Sequence, residues 1–314
     1  MKGFCIIALL AAVVLNGCQD SSDGNLIKKS TDFPEVVTVN AQILEFPTIM
    51  SIRGWTIDGQ TLICKSRHTD YFFYEFNLPD LAPKDSFCMT GQGPEEFLFP
   101  ELLVTKDKRR FIIDNAKKGG YFYANGKLEK VVSINSQDIM SSLHEYDYPL
   151  IGYKSDVPNE LTWKLVNIET GATLDSILYV DEDKKGEALM KYDFEWTFGD
   201  NRLYMASRKE DKVTVYLIEN GKLMEACVWK GNETSLSKYT YTAIDCTEDY
   251  VYLLSSKKEQ SEVEVYSLKG EPVCLLKLGT HVVDMLVDEK YGRLLFLTAD
   301  QELVFVELSP NKNG

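Results

Sequence analysis

An all-β fold, a six-bladed β-propeller, is what this sequence predicts, and three observations predict it. A tight-turn dipeptide recurs at Asn125-Gly126, Thr170-Gly171, Asn220-Gly221 and Lys269-Gly270, with steps between the glycines of 45, 50 and 49 residues. Around these turns lie period-2 patterns such as VTVYLIE and VEVYSL before the turn, and KLEKVVSI and EPVCLLKL after it. No long stretch shows a helical period. A fixed period of this size marks one supersecondary unit stacked many times, and short strands of even spacing, four to a repeat, describe the radial sheets of a propeller.

Taken in order, the chain begins with an export signal. Lys2 is followed by an apolar run from Phe4 to Leu15, too short for a bilayer, which needs about 20 apolar residues. Leu15-Asn16-Gly17-Cys18 resembles the bacterial lipobox. That resemblance implies cleavage after residue 17 and a diacylglycerol thioether on Cys18, with acyl chains whose buried CH2 groups contribute about 0.8 kcal/mol each. Residues 18–32 then form a flexible tether, polar from Gln19 to Gly24 and short of apolar surface. Its acidic character resembles the signal that sends Bacteroidetes lipoproteins to the outer face of the outer membrane, and serves equally well as a solvated linker. The predicted address is an outer membrane lipoprotein facing the periplasm or the cell surface.

Residues 33–309 form the propeller and 310–314 a tail. The span gives about 46 residues per blade for six blades, within the range of such repeats. Six apolar segments ending in a small polar residue, Leu62–Ser66, Phe111–Asn115, Leu150–Ser155, Leu203–Ser207, Val251–Ser255 and Leu294–Thr298, read as the inner strands. The final repeat, from His281 to Leu308, offers only three strands. Val36 to Phe46 is strand-like but lacks a blade, so this N-terminal strand is expected to complete the last blade and remove its open edge.

Composition narrows the partners. Lysine and arginine number 34 against 48 acids; removing residues 1–17 takes away one lysine, so the mature charge is 33 − 48 = −15. Such a surface repels phosphate backbones, and nucleic acid is excluded as a partner. Cys64, Cys88, Cys227, Cys246 and Cys274 remain after processing, an odd set without a C-x-x-C pair, predicted to be buried thiols.

The most distinctive segment is GQGPEEFLFP, Gly91 to Pro100. It lacks the Gly-Lys-Ser/Thr ending of a phosphate loop, and Pro94 removes a donor, so it reads as the crossing between the first and second blades. Through Gly91, Gln92, Gly93, Pro94, Glu96 and Phe97 the chain resembles the TolB-like six-bladed propellers of Bacteroidetes lipoproteins. The resemblance implies a propeller on a lipid anchor and assigns no catalytic residue. Asp181 to Tyr192 begins like a calcium loop but places Lys185 and Tyr192 at ligand positions, which makes it a charged surface loop. His68, His144 and His281 stand far apart, no G-x-S-x-G elbow occurs, and no hydrolase domain is expected after Ser309.

Aromatic and charged residues near the predicted strand starts are the candidate site. Trp55, Tyr148, Trp196 and Tyr241, with Arg53, Glu101, Asp245, Asp284 and His281, would ring one mouth of the channel and offer flat apolar faces beside carboxylates, suited to sugars or peptides. Packing between blades is the competing use of the aromatics. The leading expectation is a lipid-anchored envelope protein, without cofactor, that binds or scaffolds a protein, peptide or glycan. The alternative is a calcium-dependent lactonase-like hydrolase with Asp245, Asp284 and Glu101 in the channel.

Overall fold

The structure, a computed structural model, describes residues 26–308 except 31, 47–50, 68, 106–108, 115, 117–118, 125–126, 133–138, 148–149, 158–159, 179–193, 232–239 and 257–259. Six sheets form a ring. After three short N-terminal strands, β1 (Leu26–Lys28), β2 (Val36–Val39) and β3 (Gln42–Leu44), blade 1 contains β4 (Ile52–Asp58), β5 (Thr61–Ser66), β6 (Tyr71–Asn77) and β7 (Ala82–Met89). Blade 2 contains β8 (Pro100–Val104), β9 (Arg110–Asp114), β10 (Gly119–Ala124) and β11 (Lys127–Val132). Blade 3 is β12 (Ile139–Asp147), β13 (Leu150–Val157), β14 (Glu160–Asn167) and β15 (Ala172–Leu178).

Blade 4 is β16 (Phe194–Gly199), β17 (Arg202–Ser207), β18 (Lys212–Glu219) and β19 (Lys222–Lys230); blade 5 is β20 (Ala243–Cys246), β21 (Tyr250–Ser256), β22 (Ser261–Ser267) and β23 (Pro272–Leu278). Blade 6 takes β24 (Val282–Asp288), β25 (Arg293–Thr298) and β26 (Leu303–Glu307). The first strands of successive blades touch one another all the way round, β4 to β8, β12, β16, β20, β24 and back to β4. That contact pattern closes the ring.

The six apolar segments read as innermost are in fact second strands. Second strands lie between two sheet neighbours and between two blades, so both faces are buried and the sequence reads as a continuous apolar run; β21 and β25 are buried along nearly their whole length. The true innermost strands border the channel and alternate with polar residues. At the hairpin of β18 and β19, Asn220 and Gly221 both have positive φ, 52° and 73°, the left-handed pair that a two-residue turn requires.

Closure is as expected in kind but differs in extent. β3 pairs antiparallel with β26, Leu44 opposite Leu303, and supplies the fourth strand of blade 6. β2 instead runs parallel to β23 as a fifth strand of blade 5, and β1 runs parallel to β19 as a fifth strand of blade 4. An unbroken strand from Val36 to Phe46 would reach about 35 Å at 3.3 Å per residue, whereas β26 has five residues. The arm therefore steps from blade to blade, and β1 lies inside the segment expected to be tether. Cys18 and the tail at 310–314 lie outside the described residues.

Packing follows the ring. Six apolar clusters each join two consecutive blades: Phe73, Phe87 and Ile112 between blades 1 and 2, Leu103, Ile151 and Val166 between 2 and 3, Trp163 and Trp196 between 3 and 4. Tyr204, Trp229 and Tyr266 join 4 to 5, Leu254, Leu278 and Phe296 join 5 to 6, and Leu62, Leu295 and Leu303 with Leu44 join 6 to 1. Each fully buried side chain of this size contributes about 1.5–3 kcal/mol. Among the described residues no disulfide forms; the thiols of Cys64 and Cys88 are buried and those of Cys227, Cys246 and Cys274 half-buried. Burial pushes the Cys64 thiol far above its usual range.

The Gly91–Pro100 segment bridges blades 1 and 2, as read. Phe97 is fully buried, its amide donates to Met89 O at 2.8 Å, and the Gly93 amide donates to Glu96 Oε2 at 2.7 Å. The Glu96 carboxylate folds over Gly91, where a Cβ would stand 2.0 Å from Oε2. The glycine therefore makes room for an internal cap rather than for a phosphate.

Candidate functional site

The innermost strands enclose a channel of about 790 Å³, lined by residues of β4, β5, β8, β16, β20 and β24 among the described residues. It continues past Ile57, Phe198, Asp245 and Val287 into a second recess of about 910 Å³ at the far ends of these strands, bordered by Asp200, Thr247, Glu248 and Glu289. Its charged groups gather near the strand starts.

Glu101, Glu195 and Asp284 stand at matching positions of β8, β16 and β24, each one step inside the first paired residue. Each carboxylate has its own donor. Lys65 Nζ lies 2.6 Å from Glu101 Oε1; Lys65 is on the second strand, opposite Gly54, which has no side chain to compete for the channel. Arg208 Nε donates to Glu195 Oε1 at 2.7 Å, and its Nη2 donates to the same oxygen. Asp284 accepts from Met285 N and from Trp55 Nε1, both at 2.8 Å. Arg53 and Arg67 line the same end and are exposed.

Two bulges set this geometry. The register slips by one residue between Ile52 and Gly54 on β4 and between Val282 and Asp284 on β24. A bulge re-aims the side chains beside it, and these two bring Trp55 and Asp284 together across the seam where the ring closes. Deeper in, Asp245 accepts from Cys246 N at 2.8 Å and from Val287 N of the next blade at 2.9 Å.

Burial among protein atoms raises both aspartates to about 6; backbone amides pull the other way, and the charge of Asp245 adds to the rise at Asp284. Both residues are half-buried on the channel wall. Near pH 6 each therefore exchanges between an acceptor-only carboxylate and an acid that also donates.

Of the residues singled out from sequence, Arg53, Trp55, Glu101, Asp245 and Asp284 do line the channel. Trp196 borders it but is only 3% exposed, packed edge-on to Trp163 at 5.3 Å and Phe198 at 5.6 Å; its surface goes into the seam between blades 3 and 4. Tyr241 is not at the mouth. It is buried between blades 4 and 5, its hydroxyl donating to Asp211 Oδ1 at 2.6 Å. A residue preceding a short innermost strand is turned there into the seam.

His281 is also off the channel wall among the described residues, with Nδ1 3.3 Å from Ser256 Oγ. Tyr148, His68 and the loop from 181 to 192 lie outside the described residues, as does the side chain of His144. Sequence reasoning missed Lys65, Arg67, Glu195 and Arg208. A lysine inside the apolar run Leu62–Ser66 and a glutamate beside Trp196 were the available signals. Among the described residues, no group of three or more His, Cys, Asp and Glu side chains could hold a metal ion.

Fold and channel together define the class: a six-bladed β-propeller with an open, charge-ringed axis. Residues 28–144, which include Gly91–Phe97, match the TolB-like 6-blade propeller-like family, so the resemblance read from that segment holds. A solved structure of a "Putative exported protein" from Bacteroides fragilis is similar at a TM-score of 0.56 and 10% identity, over 84% of this chain and 88% of that one. At that identity the likeness is one of fold. No curated protein matches the sequence.

Proposed function

We propose that this propeller is a lipid-anchored binding protein of the cell envelope, holding a protein segment, peptide or glycan at the mouth of its channel. One observation carries the reading: an open channel whose entrance brings together three carboxylates, two exposed guanidinium groups and the indole of Trp55. Such a set can hydrogen-bond hydroxyls, amides and charged termini while an aromatic edge gives shape.

The address rests on the export signal and Cys18, and the Bacteroides fragilis protein, described as exported, supports it. The calcium-dependent alternative would need Glu101, Asp245 and Asp284 to share one ion. They are instead committed to separate donors, which favours binding over hydrolysis.

The test is a thermal-shift screen of envelope-derived peptides and oligosaccharides, repeated on Glu195→Gln and Asp284→Asn. A ligand present at 100 times its Kd adds about 2.7 kcal/mol of stability. A hit that is lost in the channel variants supports the reading; hits that bind those variants equally well overturn it.

A further inference from the structure

Among the described residues seven large apolar side chains are exposed, and three of them lie together on the outer edge of blade 4: Leu26 and Ile27 on β1, and Met224 on β19, the strand that β1 joins; Val36 and Ile43 follow along the arm on blades 5 and 6. The outer edge of blade 4 is also its basic edge. Lys28, Lys222 and Lys230 are exposed on β1 and β19 against one exposed acid, Glu225, on a chain whose formal charge is −14. Scattered exposed apolar residues need no explanation; this concentration beside lysines does.

The chain itself says what lies opposite. Seven residues, Gln19 to Asn25, separate Cys18 from Leu26, a reach of about 25 Å when fully extended. A globule of roughly 280 residues has a radius of gyration of about 19 Å and so a width near 50 Å. An anchor attached at Leu26 through so short a spacer cannot turn the opposite side of the ring to the bilayer.

The attachment point is also fixed. Lys29 is buried, its ammonium 2.5 Å from Asp211 Oδ1 and 2.6 Å from Glu264 Oε2, and Tyr266 Oη donates to Ser30 O at 3.1 Å.

We infer that the outer edge of blade 4, with Leu26, Ile27, Met224 and the three lysines, rests on the lipid surface that holds the acyl chains of Cys18. The inference builds on the lipid anchor proposed above. Apolar side chains enter the headgroup boundary, and lysines meet anionic headgroups. The ring then stands on its edge, and both channel mouths open sideways to solvent.

The experiment uses the full-length lipidated protein in vesicles of phosphatidylethanolamine and phosphatidylglycerol, with acylation of Cys18 checked by mass. An environment-sensitive nitrobenzoxadiazole dye is attached after Met224→Cys or, just before β8 in blade 2, at the exposed Phe99 after Phe99→Cys; the unsubstituted protein gives the labelling blank. The dye at 224 is expected to brighten, shift to the blue and be quenched by spin-labelled lipid, while the dye at 99 stays unchanged. Replacing Lys28, Lys222 and Lys230 with Glu is expected to weaken the response at 224.

Silence at 224 in acylated protein overturns the inference, as does a response at 99 alone. A response at 224 that grows with protein concentration in the absence of vesicles assigns the edge to a second copy and overturns it too. Absence of acylation shows in the mass and removes the anchor itself, a different failure.

Discussion

Replacing Lys29 with Met should be among the most destabilising changes outside the apolar clusters. The side chain is 1% exposed, and its ammonium contacts Asp211, Glu264 and the Tyr241 hydroxyl while lying 5.0 Å from the centre of the Tyr241 ring. Met keeps the volume and the apolar stem but leaves two carboxylates facing each other in the seam between blades 4 and 5. Removing one partner of a buried ion pair costs about 3–5 kcal/mol, most of it the cost of the charge left behind.

At about 2–4 °C per kcal/mol for a domain of this size, the melting temperature should fall by roughly 10 °C. Urea unfolding followed by tryptophan fluorescence measures the change, since Trp229 packs in the same seam. Adding Asp211→Asn and Glu264→Gln to the Lys29→Met protein should recover much of the loss, because the uncompensated charges are then gone. A Lys29→Met protein within about 0.5 kcal/mol of the parent, the scatter of ordinary surface substitutions, would refute the reasoning and show that the arm is not latched by this residue.

Other consequences follow from single features. Asp245 and Asp284 bind protons more tightly folded than unfolded, so stability contributed by these groups falls as pH rises from about 4 to about 6; the bound is roughly 3 kcal/mol for each, from a carboxyl raised from 3.8 to about 6. Asp284→Asn should flatten the pH profile of unfolding over that window, and an unchanged slope would contradict the burial of the group. Gly91→Ala should cost about 1–3 kcal/mol by expelling Glu96 from its cap, with Glu96→Ala recovering part of it when the two are combined in a double-mutant cycle. Thiol titration with a disulfide reagent should leave Cys64 and Cys88 unreactive in the folded protein and reveal them in denaturant. Calcium and EDTA should leave the melting curve unmoved; a calcium-dependent rise would revive the hydrolase reading.

What was legible in the sequence was periodic. Turn dipeptides at fixed steps and alternating strands specify six blades because each blade repeats one local solution to the same packing problem. The choice of innermost strand was not legible. Leu62–Ser66 and its counterparts are the most apolar segments, and apolar character marks burial on both faces, not nearness to an open axis.

The arm was half legible: Val36 to Phe46 has the pattern of a strand, but nothing local says that it divides between two blades, and Lys29 in a polar leader gives no hint of a buried ion pair made with residues some 180 and 235 positions away. Within the site, Trp55, Glu101, Asp245 and Asp284 could be found because they stand next to strand starts. Lys65 reaches the channel from a second strand through space opened by Gly54, and Arg208, just past the end of β17, bonds Glu195 on the channel wall, contacts that only the assembled ring reveals. Tyr241 had the same local signal as Trp55 and a different fate, decided by the carboxylates of Asp211 and Glu264 in the seam.

A ligand held at the ringed mouth of the channel depends on the side chains of that ring for its affinity. Calorimetric titration of the strongest peptide or oligosaccharide hit against the parent protein, Trp55→Ala and Asp284→Asn tests it most directly, with folding of each variant checked by its melting curve. Both variants should bind with a Kd at least tenfold weaker, about 1.4 kcal/mol each. Equal affinity in all three proteins would place the ligand elsewhere and contradict that dependence.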